Sequence, residues 1–150
     1  MITQTFTFLD GIARKKEQQL WQSGITDWNR FLDLKNIFNI STKSKIYYDY
    51  ELKNAKKALL ENDSSYFAQK FPSTDTWRLF DYFRDEAVYL DIEATGFGNE
   101  GYITVIGLFD GNDTKTMVKD INLDIKKLAE MLLRYKLIIT FNGSSFDLPM

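Results

Sequence analysis

Tyr89-Leu-Asp-Ile-Glu-Ala-Thr-Gly96 is the stretch that decides how this chain is read. Residues 87–92 form a β-type apolar run, and alternate residues of a strand share one face. Asp91 and Glu93 therefore stand together at a strand end, with Leu90 and Ile92 on the opposite face. At about 4 Å and an effective dielectric near 20, two such anions repel by roughly 4 kcal/mol, which calls for a cation or a raised pKa. Taken alone, Asp91-Ile-Glu93 reads as two solvated acids where a strand meets a loop, because short motifs match freely. The second informative stretch, Phe141-Asn-Gly-Ser-Ser-Phe-Asp147, repeats the arrangement: a β run ending in a polar loop with an acid. A third carboxylate from Asp147 would let two metals be shared among the acids, one activating water and the other stabilising the leaving oxygen.

Working outward, 87–92, 102–109 and 115–121 read as three strands joined by glycine-bearing turns, the second being hairpin-like at Gly111-Asn112-Asp113. Residues 123–135 read as a helix whose face is Leu128, Met131, Leu132 and Tyr135, and 137–141 as a fourth strand. The order is βββαβ over residues 86–150. Residues 1–85 read as mainly helical. Within them a helix-hairpin-like segment covers about 7–34, with Gly24 as a C-cap and Thr26 as an N-cap. A helical stretch at 43–70 breaks near Asn62-Asp63-Ser64, and another helix after Pro72 carries Trp77, Leu79, Phe80 and Phe83.

Composition narrows the chemistry. The 150 residues contain no cysteine and no histidine, so thiolate and imidazole ligands and His-based triads are excluded. Any metal must be held by oxygen, which favours Mg²⁺ or Mn²⁺. Residues 1–85 carry 13 Lys and Arg against 11 Asp and Glu, whereas 86–150 carry 6 against 10, so the acidic half holds the candidate site. No apolar run approaches the roughly 20 residues needed to cross a bilayer, and the N-terminus lacks the order of a secretory signal. The expectation is a cytoplasmic protein without membrane contact, its oligomeric state left open.

Asp-x-Glu-x-Thr-Gly at 91–96 and Asn-x-x-x-Phe-Asp at 142–147 resemble the first two motifs of the DEDD superfamily of 3′-5′ exonucleases, which have a ribonuclease-H-like fold. Phe-Asn-Gly-x-x-Phe-Asp-x-Pro, with a helical hairpin upstream, is most similar to the YprB-type ribonuclease-H-like proteins. The resemblance implies an α/β ribonuclease-H-like sheet preceded by the helical region, and hydrolysis of DNA or RNA at a single-stranded 3′ end. It implies Asp91, Glu93 and Asp147 as metal ligands and catalytic acids, Thr95 and Gly96 beside the terminal nucleotide, and Asn142 orienting substrate or the acid loop. The family's third motif adds a final Asp preceded by a Tyr or His base, and no residue after Asp147 matches it. The expectation is therefore a sheet truncated after the second motif, with weak metal binding and little hydrolysis. The rival expectation is a non-catalytic nucleic-acid-binding or interaction module that keeps part of the fold.

Phe97, in the glycine-flanked loop after the first acids, is a base-stacking candidate. Phe8-Leu-Asp-Gly11-Ile12-Ala13-Arg14 resembles part of a helix-hairpin-helix element, in which Gly11, Arg14 and Lys15 would meet a phosphate. A small structural hairpin with a solvated basic face explains the same residues. Trp21, Trp28, Phe31 and Trp77 fall at apolar positions of amphipathic patterns and are expected in the helical core. Asp110 and Asp113 read as turn chemistry.

Overall fold

The computed structural model describes residues 1–96 and 101–141. The chain divides into two compact units, Met1–Tyr82 and Phe83–Met150.

The first unit is helical. A 3-10 turn at Ile2–Gln4 precedes α1 (Arg14–Gln22) and α2 (Trp28–Asp33). Helix α1 stops at a Schellman motif: Ile25 N–H bonds the Leu20 carbonyl at 2.9 Å and Gly24 N–H bonds Trp21 at 3.0 Å. Gly24 sits at φ +83, which a residue without Cβ adopts cheaply. The N-cap of α2 is Asp27 rather than Thr26: the Asp27 carboxylate accepts from Arg30 N–H at 2.9 Å, while the Thr26 hydroxyl donates to Asp27. Helices α3 (Thr42–Leu60) and α4 (Ser64–Lys70) are separated as expected. Asn62 takes the left-handed position (φ +55) and Asp63 caps α4 by accepting from Ser65 and Tyr66.

The core of this unit is aromatic. Phe8 stacks on Phe71 with centroids 5.3 Å apart and meets Trp28 edge-on at 5.6 Å, and Phe6 packs on Phe31 at 5.5 Å. The Trp28 indole donates to the Thr5 carbonyl at 2.7 Å, satisfying its one polar atom. Trp77 does not join this core. After Pro72 the chain winds as a 3-10 segment, Ser73–Leu79, before α5 (Phe80–Phe83), and that tighter repeat turns Trp77 outward to 65 % exposure, with Arg78 5.1 Å from its ring. Trp21 is only partly buried, its indole donating to the Gln4 carbonyl.

The second unit is a mixed sheet in the order β3-β2-β1-β4, formed by β1 (Ala87–Ala94), β2 (Ile103–Phe109), β3 (Thr114–Val118) and β4 (Leu137–Thr140). The first three strands run antiparallel. Helix α6 (Ile125–Leu132), capped by Asp124, carries the chain over to β4, which pairs parallel to β1. Val88, Leu90, Ile92, Ile106, Leu108 and Met117 meet Leu128 of α6 in one core, with Met131, Leu132 and Tyr135 against its edge. The βββαβ order is the expected one. Strand β3 ends at Val118 instead of reaching Ile121, because Asp120 turns into the left-handed region (φ +61) and the Asn122 side chain takes Val118 N–H and Thr116 C=O. No helix among the described residues is long and apolar enough to cross a membrane.

Candidate active site

Strand β1 alternates as its sequence requires: Val88, Leu90 and Ile92 are buried, while Tyr89, Asp91 and Glu93 lie on the exposed face. Asp91 and Glu93 are thus brought together by a single strand. Among the described residues neither forms an ion pair.

Two features of β2 shape the space beside these acids. Gly107 lies opposite Asp91 in register, between the cross-strand pairs Tyr89 with Phe109 and Glu93 with Val105. A Cβ there would stand 4.0 Å from the Asp91 carbonyl oxygen, so the position has room that glycine leaves empty. A groove of about 490 Å³ results, bordered by Tyr89, Asp91, Gly107, Phe109, Thr140 and Phe141. The second feature is a register shift, Glu93 pairing Val105 but Ala94 pairing Ile103, which leaves Thr104 as an extra residue. Its hydroxyl donates to the Glu93 carbonyl at 3.0 Å. Such bulges bend a strand and re-aim its side chains, and this one sits where Glu93 must be aimed.

Thr95 continues from the strand end, its N–H bonded to the Tyr102 carbonyl at 3.1 Å and its hydroxyl accepting from Tyr102 N–H at 3.4 Å. Gly96 follows, 3.8 Å from Gly101 Cα for a built Cβ, so the two limbs of the loop approach closely. Tyr102 is half exposed, and the Lys119 ammonium lies 3.3 Å from its ring centroid. Phe97, Asn142 and Asp147 lie outside the described residues. The parallel register of β4, ending Leu90 with Thr140, delivers the chain to Phe141 beside Asp91, at the start of the segment that carries Asn142 and Asp147. Among the described residues no group of three His, Cys, Asp or Glu side chains comes together. The donors offered by Asp91 and Glu93 are carboxylate oxygens only, a chemistry that suits a hard divalent cation.

The Asp110 carboxylate accepts from Asn112 and Asp113 N–H at 3.0 and 2.9 Å and from the Tyr135 hydroxyl at 3.2 Å. The bond from Asp113, then that from Asn112, holds its carboxyl below the usual range, and the charge of Asp110 together with burial pushes the Tyr135 phenol up, burial being the larger cause. Asp110 builds the β2-β3 turn, as its sequence context indicates.

Gly11, Arg14 and Lys15 belong to the first unit. Gly11 has φ +74 and lies under the Tyr48 hydroxyl, which donates to the Asp10 carbonyl at 2.9 Å. Arg14 is committed to Asp75 at 3.1 Å, and Lys15 is exposed at the start of α1. Sequence reasoning did not single out Gly107, Tyr89, Phe109 or Thr104. Tyr89 was legible from the same period of two that paired Asp91 with Glu93. The other three required knowing the β1-β2 register.

Residues 88–150 match the family described as the RNase_H superfamily, so the sheet unit is similar to ribonuclease-H-like domains in sequence as well as in its strand order. No curated protein and no solved structure matches the chain.

Proposed function

We propose that the ribonuclease-H-like unit is a metal-dependent 3′-5′ exonuclease acting on single-stranded ends of DNA or RNA, with Asp91, Glu93 and Asp147 as its metal-holding carboxylates. The observation that carries the reading is the exposed pair Asp91 and Glu93, at the end of the sheet where β4 feeds the segment containing Asp147. Two exposed acids on one strand that form no ion pair among the described residues stay available for a ligand of opposite charge. Divalent metal bound there would supply the positive charge that acidifies water and offsets charge on the departing 3′-oxygen. The protein's own groups hold and orient the substrate. Thr95 and Gly96 border the terminal nucleotide, Phe97 stacks on its base, and Asn142 orients it. The vacancy left by Gly107 beside Asp91 gives the nucleotide room to approach the acids.

A second reading, a nucleic-acid-binding module without hydrolysis, is favoured by the lack of a third acid beside Asp91 and Glu93 among the described residues. One experiment separates the two: Mn²⁺-dependent shortening of a single-stranded oligonucleotide from its 3′ end, by the wild type and by Asp91→Asn, Glu93→Gln and Asp147→Asn. Each variant is expected to lose more than the roughly 10–100-fold that removing a supporting partner of a metal site costs. Wild-type protein that binds the oligonucleotide and never shortens it, at any Mn²⁺ or Mg²⁺ concentration, would establish the binding module instead.

A further inference from the structure

The first unit contains a second groove, of about 880 Å³, between α1 and the loop that follows α2. Its volume lies within the roughly 300–1,000 Å³ typical of ligand sites. Lys15 and Lys16 stand on its wall, and among the described residues no Asp or Glu lines it. Among the described residues neither lysine forms an ion pair, and the Lys16 ammonium lies 5.8 Å from the Tyr48 ring. The adjoining cavity, of about 610 Å³, is different: it contains Asp10 and Asp75, and its cations Arg14 and Lys70 are already paired, with Asp75 at 3.1 Å and Glu51 at 2.6 Å. Of these two spaces, positive charge left without an acid partner among the described residues is therefore a property of the groove that Lys15 and Lys16 line.

Phe38 stands at the rim of that groove, 90 % exposed. It is held there by the backbone. Ile40 N–H bonds the Ile37 carbonyl at 3.1 Å, closing a four-residue turn with Phe38 and Asn39 at its tip. Asn39 takes φ +60, the left-handed conformation that Asn tolerates best among residues with a side chain. Ile37, buried behind the tip, anchors the turn. An aromatic ring held in solvent at the rim of a groove that two lysines line, with the amides of Gln19, Asn36 and Asn39 also lining it, offers a stacking face, phosphate contacts and hydrogen bonds together.

We infer that this groove binds a single-stranded nucleic-acid segment, one base stacking on Phe38 while Lys15 and Lys16 contact the adjoining phosphates. Charge complementarity selects a polyanion, and a ring presented face-free on a turn selects an unpaired base over a duplex, whose bases are already stacked. The inference rests on the reading of the protein as one that acts on nucleic acid, and adds a place in the first unit where a strand is held.

The test is fluorescence anisotropy with labelled twelve-nucleotide oligothymidine and oligouridine, in EDTA and at several salt concentrations, using the full chain. Phe38→Ala is expected to weaken binding about tenfold, within the range found for losing a stacked base. Lys15→Ala with Lys16→Ala should reduce the slope of log affinity against log salt by about 1.4. Phe38→Trp should retain affinity and show fluorescence quenching on addition of oligothymidine. Equal affinity of wild type and Phe38→Ala, or an unquenched Phe38→Trp, overturns the inference. So does a concentration-dependent dimer in sedimentation that Phe38→Ala abolishes, since a second copy would then occupy the groove. The exonuclease reading fails separately: Phe38-dependent binding without Mn²⁺-dependent shortening supports the groove and removes the nuclease. Shortening with Phe38-independent binding does the reverse.

Discussion

The unit Met1–Tyr82 buries three acids, Glu17, Glu51 and Asp75, and surrounds them with donors, whereas Phe83–Met150 displays two acids on the open face of a strand. Glu17, 1 % exposed, accepts from the Thr5 hydroxyl and Phe6 N–H at 2.7 Å and from Arg78 at 3.2 Å. Asp75, 2 % exposed, takes Arg14 at 3.1 Å, and Arg78 Nε lies 3.9 Å away, too far for a hydrogen bond. These carboxylates spend their acceptor capacity inside the protein. Among the described residues Asp91 and Glu93 do not, and the contrast separates acids that hold a fold from acids that can hold a ligand.

The sharpest way to break that comparison is to remove one acid of each kind. Glu17→Ala leaves Arg78 buried without its strongest partner and should cost about 3–5 kcal/mol in urea unfolding. Asp91→Asn removes an exposed charge and should change stability by less than about 0.5 kcal/mol, while abolishing metal-dependent hydrolysis. A large loss of stability from Asp91→Asn would place Asp91 in a structural network and remove the distinction. Replacing Glu17 and Arg78 together by apolar residues of similar volume should cost far less than Glu17→Ala alone, since neither charge is left unpaired.

How far the sequence reveals this contrast depends on the range of the interactions. The strand face bearing Asp91 and Glu93 follows from a period of two, and the helix end at Gly24 from a local motif, so both were legible. The β-hairpin turn at Asp110 was local too. Glu17, by contrast, sits on α1 among Lys15, Lys16, Gln18 and Gln19 and reads as solvated. Its burial comes from Arg78, which is distant in sequence. Trp77 failed for the related reason that an apolar residue at helical spacing is core only if the segment is an α-helix, and Ser73–Leu79 winds as 3-10. The groove beside Asp91 was hidden because glycine carries no pattern, and only the pairing of β1 with β2 sets Gly107 opposite the acid.

Gly107 also sharpens the comparison from the functional side, with a smaller effect. Valine there is compatible with the strand, because β-branched residues favour extended backbone and, among the described residues, the added Cβ meets nothing closer than 4.0 Å. Gly107→Val should leave unfolding unchanged within about 1 kcal/mol. It fills the space beside Asp91, however, and should lower kcat/KM for oligonucleotide shortening about tenfold, the lower end of what small volume changes cost in a binding pocket. Undiminished turnover by a well-folded Gly107→Val protein would mean that substrate does not use this groove.

The smallest effect expected is in acid. Burial pushes the Asp75 carboxyl up, but hydrogen bonds from Thr7 and Arg14 and the charges of Arg78 and Arg14 outweigh it, and the group is held below its ordinary value. A carboxylate depressed by folding stabilises the native state above its unfolded pKa, and that contribution disappears as pH falls through the folded pKa. Melting temperature should therefore decline as pH is lowered from about 5 towards about 2, and Asp75→Asn should flatten that decline while lowering the whole curve, because the amide titrates no proton and pairs poorly with two arginines. If Asp75→Asn left the decline as steep as in the wild type, Asp75 would not be a carboxylate whose ionisation holds the fold, and the division between structural and ligand-holding carboxylates would be drawn in the wrong place.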